Sequence, residues 1–165
     1  MSNETTTWSS SMTASTNHDR PRILVGYAHT PTGHAALRWA VREGQRTGAE
    51  VEVVHVFDLH RRADAVLCRD REELRGEARR RAEQRVREVL ADLGLVPRVR
   101  FTSLVGDVEA TLAATGRRAD RLVLGEPGSR SDRSFPARLS LRATVPVTVV
   151  TEAGVPHELV GGAVR

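Results

Sequence analysis

Five short apolar runs punctuate the chain: RILVGY at 22–27, VEVVHVF at 51–57, RVRFTSLV at 98–105, RLVL at 121–124 and PVTVV at 146–150. Each is too short for an amphipathic helix, is rich in branched residues and is bounded by polar or glycine-bearing segments, so each reads as a strand. The unbroken run at 22–27 marks a strand buried on both faces. Between the runs the period changes. Gly33, Ala36, Leu37, Ala40, Val41 and Gly44 share one narrow face of a helix over about 32–47, a small-residue face suited to close packing on a sheet. Trp39 falls off that stripe, and Gly48 stops the helix. Leu74, Ala78, Ala82, Val86, Val89, Leu90 and Leu93 predict a long helix over 70–93, ended by Gly94. Asp107 caps a helix running to about 118 with Val108 and Leu112 inward. Ser134 caps a shorter one carrying Phe135 and Leu139, with Pro136 in its first turn.

Strands alternating with helices predict an α/β fold: a five-stranded parallel doubly wound sheet with helices on both faces. The expected strand order is 3-2-1-4-5, with the winding reversed between the first and fourth strands. Ligands of such sheets sit at the carboxyl ends of the strands beside that reversal. The flanking loops are 28–33 and 125–134. The second begins Gly125-Glu126-Pro127-Gly128 and leads into a helix, an arrangement that can turn backbone N–H groups toward an anion. A tight strand-to-helix turn with no ligand accounts for the two glycines equally well.

The remainder divides simply. Residues 1–20 are Ser/Thr-rich without periodicity and read as a disordered tail, 21–151 as one domain, and 152–165 as a loosely ordered tail. Asp58–Arg71 is polar and irregular. The final strand, left at the sheet edge, is apolar and uncharged, so a homodimer through Pro146, Val147 and Val149 is expected.

Charge changes the picture less than it promises. The net charge of +4 suggests nucleic acid, but every one of the 25 basic residues is Arg, many alternate with acids over 69–92, and aromatic content is 4%. That pattern describes a solvated helix face without base-stacking platforms. Glu77 with Arg81 and Glu83 with Arg87 are acid-first pairs one turn apart. With no Lys, a P-loop is excluded; no dinucleotide glycine fingerprint follows the first strand, and no nucleophile elbow occurs. Cys68 stands alone, and no apolar run is long enough for a membrane span or a secretory leader, which fits a cytoplasmic protein. The His pairs 29/34 and 55/60 are five apart, which is not a metal-ligand spacing on one helix face. His29 reads as a polar loop residue. No catalytic or metal residue is assigned.

RILVGY, AALRWAVREGQRTGAEVEVVHVFD, Val105-Gly-Asp107, ADRLVLGEPG and VPVTVV together resemble the universal stress protein family over residues 20–151. The resemblance implies an adenine nucleotide alpha hydrolase-like fold, a cytoplasmic homodimer and a role in stress response. One branch of the family binds ATP through Gly, two residues, Gly, about nine residues, then Gly-Ser or Gly-Thr. Gly125, Gly128 and Ser134 match that pattern; Arg133 stands at the second-last position, and the intervening loop is about five residues short. Val56 matches the residue whose backbone meets adenine, while Ala28 replaces an Asp. A short loop offers fewer donors, although the Arg133 guanidinium could pair a phosphate. The expected function is a dimeric stress-response module with weak or no ATP binding. The alternatives are an ATP-binding regulator using Val56, Gly125, Gly128, Arg133 and Ser134, and a scaffold whose Arg-rich helix meets an acidic partner.

Overall fold

The computed structural model describes residues 4–8, 20–58, 71–94, 98–128 and 132–159. Its strands are β1 (Glu4–Trp8), β2 (Arg22–Gly26), β3 (Glu50–Phe57), β4 (Val99–Val105), β5 (Arg121–Gly125), β6 (Val147–Val150) and β7 (Pro156–Leu159). Its helices are α1 (Pro31–Thr47), α2 (Arg71–Asp92), α3 (Val108–Gly116) and α4 (Phe135–Arg142).

The strands form one sheet in the order β1-β4-β3-β2-β5-β6-β7. The middle five are parallel. They run in the predicted order, with the reversal between β2 and β5. The expectation of five strands is corrected to seven, because an antiparallel strand is added at each edge. Glu4–Trp8, placed by the sequence in a disordered tail, pairs with β4 in register from Glu4 with Ser103 to Trp8 with Val99. Pro156–Leu159, placed in a loose tail, pairs with β6. The two additions, ETTTW and PHEL, carry no run or alternation of apolar residues, so neither announces itself by apolar periodicity.

The second addition removes the bare edge. The chain turns back at Thr151, whose hydroxyl accepts from Val155 N–H at 3.1 Å and whose carbonyl accepts from Gly154 N–H at 2.9 Å. Gly154 supplies the φ of 80° the turn requires. Arg121 then reaches across β6 to Thr148 (3.2 Å) and Glu158 (2.8 Å), and Leu159 packs on the core. Val147 and Val149 therefore face an intramolecular strand rather than an open edge.

Two apolar layers hold the sheet. On one face Val25, Val53, Phe101 and Val123 meet α1 and α2; on the other Leu24, Val54 and Leu122 meet α3 and α4. The whole predicted stripe of α1, from Gly33 to Gly44, is buried. Trp39 is half-buried against this layer with the Arg121 guanidinium 5.9 Å from its ring centroid. Leu74, Ala82, Val86, Val89 and Leu90 anchor α2. The Glu77–Arg81 pair forms, as does Glu83–Arg87 at 2.9 Å.

Caps fix where the helices start. Thr30 caps α1, its hydroxyl accepting from Gly33 N–H at 3.0 Å, and Gly48 closes the other end at φ 73°. Asp107 caps α3 as expected, accepting from Ala110 N–H at 2.7 Å. Ser134 corrects the expectation for α4: it sits at the cap position with no side-chain capping bond. Asp132 takes that role, its carboxylate accepting from Ser134 N–H at 2.9 Å and its carbonyl from Phe135 N–H at 3.1 Å.

Candidate functional site

β2 and β5 are hydrogen-bonded neighbours whose chains leave the sheet toward opposite faces, β2 into α1 and β5 toward α4. That divergence opens a cleft at their carboxyl ends. It encloses about 310 Å³. Val54 and Val56 of β3, Leu124 of β5, and Val108, Leu112 and Phe135 of the covering helices make its walls. Gly26 forms part of the floor, where a methyl group would stand 2.7 Å from Leu124 and 2.9 Å from Leu112.

The rim is made by the two loops, and they touch. Thr32 Oγ1 donates to the Glu126 carbonyl at 2.8 Å. A side chain at Gly125 would place Cβ 2.6 Å from the Gly33 nitrogen and 2.6 Å from the Thr32 carbonyl carbon. Glycine here is required by close backbone approach, since φ at 125 is not in the left-handed region. Gly33 is tighter still: its Cβ would lie 2.0 Å from the Ala28 carbonyl oxygen.

Six backbone donors of the described rim are engaged within the chain. Tyr27 N–H bonds the Val54 carbonyl (2.9 Å), Thr30 N–H the Ala28 carbonyl (2.9 Å), His34 N–H the Thr30 carbonyl (2.9 Å), and Glu126 N–H the Val150 carbonyl (2.8 Å). Gly33 N–H goes to the Thr30 hydroxyl and Ser134 N–H to Asp132. In the loop that resembles an anion cradle, the N–H groups of Glu126 and Ser134 are thus spent within the chain.

Among the described residues, the charge at the mouth is negative. Glu126 and Asp132 both line the opening, and no Arg does so among the described residues. Asp132 is held in position by Ser134 and by Arg138 Nη1 at 2.7 Å, which also bonds the Ser134 hydroxyl; Arg138 Nε meets Glu109 at 3.0 Å. The hydrogen bonds from Ser134 and then Arg138 hold the Asp132 carboxyl down at about 2, so it is ionised at any ordinary pH.

Of the residues singled out by sequence, Val56, Gly125 and Gly128 share this cleft. Arg133 and Ser134 are exposed beside it and are not among the described residues that line it. Ala28 lines it with no acid in its place. The segment 59–70, with Cys68 and His60, and Arg130 of the glycine loop lie outside the described residues. Sequence reasoning missed Thr32, Glu126 and Asp132. The signal for Asp132 was available: an Asp three residues before a Pro-containing first turn is an ordinary helix-start pattern.

Behind the loop 28–33, Tyr27 stacks on His34 with centroids 5.9 Å apart, and His29 lies 5.4 Å from His34. Neither Tyr27 Oη nor His34 Nε2, both buried, has a hydrogen-bond partner. Burial pushes the Tyr27 hydroxyl up to about 12. Burial also lowers His34, helped by the charges of His29, Arg38 and Arg85. Tyr27 is the chain's one tyrosine. Alkaline spectrophotometric titration of the folded protein is expected to show ionisation near 12; a midpoint at the ordinary value of 10.0 would place the ring in water.

The family model described as "Universal stress protein family" matches residues 20–151. The chain belongs to the universal stress protein family. A universal stress protein UspA from Lactobacillus plantarum superposes with a TM-score of 0.64 at 22% identity, covering 78% of this chain and 96% of that one. A universal stress protein from Archaeoglobus fulgidus in complex with dAMP gives 0.58 at 18% identity, over 79% and 96%. Another universal stress protein, in complex with cAMP, gives 0.57 at 16% identity, over 81% and 98%. At these identities the solved structures establish the shared α/β fold. A search of curated protein sequences finds no match. Among the described residues no helix is long and apolar enough to cross a membrane, and no group of three or more His, Cys, Asp or Glu is placed to hold a metal ion.

Proposed function

We propose that this universal stress protein is a non-catalytic stress-response module whose cleft between β2 and β5 receives a small ligand and binds ATP weakly or not at all. The carrying observation is the closed rim: Thr32 bonded to Glu126, Gly125 in backbone contact with Gly33, and Asp132 seated on Ser134 N–H. A triphosphate needs several unspent donors and positive charge; Glu126 N–H and Ser134 N–H are spent within the chain, and no Arg lines the opening among the described residues. Purified protein denatured in acid is expected to release no stoichiometric adenine nucleotide. Release of one equivalent of ATP would overturn the reading.

The second reading, an ATP-binding regulator, is favoured by Val56, Gly125 and Gly128 converging on one cleft. Arg133 would then have to turn its guanidinium to the phosphates. An acidic-partner scaffold has less behind it, because Arg81, Arg85 and Arg87 each pair with a Glu of their own helix. Homodimer formation stays within the proposal in altered form: two copies pair through Val147 and Val149 only if β7 leaves β6.

A further inference from the structure

We propose that the ring of His34, stacked on Tyr27 behind the loop 28–33, is an acid-sensitive latch: when its imidazole is protonated the ring leaves the stack, and the loop and the first turns of α1 loosen from the sheet. The latch does not depend on what the cleft between β2 and β5 binds.

The geometry comes first. Tyr27 follows β2 and is buried, and His34 lies early in α1, so the stacked pair pins the loop between them at both ends. Both polar tips, Tyr27 Oη and His34 Nε2, are sealed from water and have no hydrogen-bond partner. A neutral ring tolerates that position at the cost of one missing bond. A protonated ring brings a charge and an N–H donor into the same place with nothing to accept it.

The groups around the ring disfavour the cation further. His29 of the loop has its ring centroid 5.4 Å away, Arg38 stands one turn on in α1, and Arg85 and Glu88 act from α2. Glu88 is the one acid among these described groups, and it is bonded to Arg85 at 2.7 Å and to Gln84 at 3.2 Å. Burial, then His29, Arg38 and Arg85, therefore lower the His34 pKa in the folded chain. The unfolded chain, with the ordinary value of 6.5, binds the proton first. The stability contributed by the neutral ring is present above that value and is lost as pH falls through the lower, folded one.

The loop that the pair pins is the one that reaches the rim. His34 N–H bonds the Thr30 carbonyl at 2.9 Å, the Thr30 hydroxyl accepts from Gly33 N–H at 3.0 Å and lies 3.3 Å from that of Thr32, and Thr32 donates to the Glu126 carbonyl at 2.8 Å. Acid release of His34 thus loosens the contact between the two loops.

Hydrogen exchange of the full chain, read by mass spectrometry at steps from pH 7 to pH 5 and corrected for the intrinsic pH dependence of exchange, tests the latch. Protection of the amides from Tyr27 to Leu37 is expected to fall at least about threefold over that range, while protection in β5 and β6 holds. His34→Phe keeps a ring on Tyr27 but cannot titrate, and is expected to abolish the fall. Arg38→Gln removes a repelling charge and is expected to move the fall to higher pH. Protection undiminished at pH 5, a fall shared equally by β5 and β6, a fall that His34→Phe leaves intact, or a midpoint that Arg38→Gln leaves in place overturns the proposal. Should His34→Phe fail to fold, His34→Gln applies the same test with a polar side chain that does not titrate.

Discussion

Gly33→Ala is expected to destabilise the protein by about 3 kcal/mol, in the range of backbone-strained overpacking. For a domain of this size that lowers the unfolding midpoint by roughly 6–12 °C. The sign is the informative part. Position 33 lies in the first turn of α1, where Ala would gain up to about 1 kcal/mol over Gly from helix propensity alone. The added Cβ, however, would stand 2.0 Å from the Ala28 carbonyl oxygen. That oxygen also accepts from Thr30 N–H, so it cannot move without opening the turn that caps the helix. Gly125→Ala should behave alike, since its Cβ would meet the Thr32 and Gly33 backbone at 2.6 Å. Gly76 provides the control. It lies within α2, and its Cβ would meet nothing nearer than the flexible tip of Arg80 at 3.4 Å. Gly76→Ala is therefore expected to stabilise by up to about 1 kcal/mol. Thermal and denaturant unfolding of the three variants checks the set. A stabilised Gly33→Ala would mean that the two loops do not close on one another as described.

The second large effect concerns the edge. A chain ending at Thr151 should lose stability and self-associate. All four residues of β6 are buried, and on its outer side β6 is paired from Val147 with Leu159 to Val150 with Pro156. Each backbone hydrogen bond lost there costs about 1 kcal/mol net, and the exposed N–H and C=O groups form a template for another chain. Light scattering after size-exclusion chromatography should show the truncated protein as a dimer or larger species at concentrations where the full chain is smaller. A truncated protein that matches the full chain in size and stability would contradict the role given to β7. The same experiment bears on the homodimer expected through Pro146, Val147 and Val149, which the full chain can form only by giving up its own hairpin.

The contrast between β6 and β7 shows what the sequence made legible. RILVG, EVEVVHVF, RLVLG and VTVV are strands because their branched side chains are buried on the sheet, and apolar runs of that length announce it. PHEL has no such run: its first three residues are exposed, and its stability comes from pairing with β6 and from the Arg121–Glu158 contact. ETTTW also lacks an apolar run, and it is held by its register with β4 and by a 3.1 Å bond from Arg79 to Thr6. Long-range pairing leaves no local signature.

The site divides along the same line. The place of the cleft follows from strand order, and Gly125 and Gly128 were visible as glycines. What decides the chemistry was not visible. Thr32 reaches Glu126 across 94 positions, and the closeness of Gly33 to Ala28 depends on how tightly the first turn of α1 is wound. Ser134, picked for its hydroxyl, gives way to Asp132 because a carboxylate two residues earlier can take both the backbone N–H and the hydroxyl of Ser134.

Titration calorimetry of the full chain with ATP and magnesium tests the closed rim most directly. The account predicts no saturable heat at micromolar ATP. A saturable isotherm at those concentrations, weakened by substitution of Gly125 or Gly128, would show that the rim opens to phosphates and would contradict it.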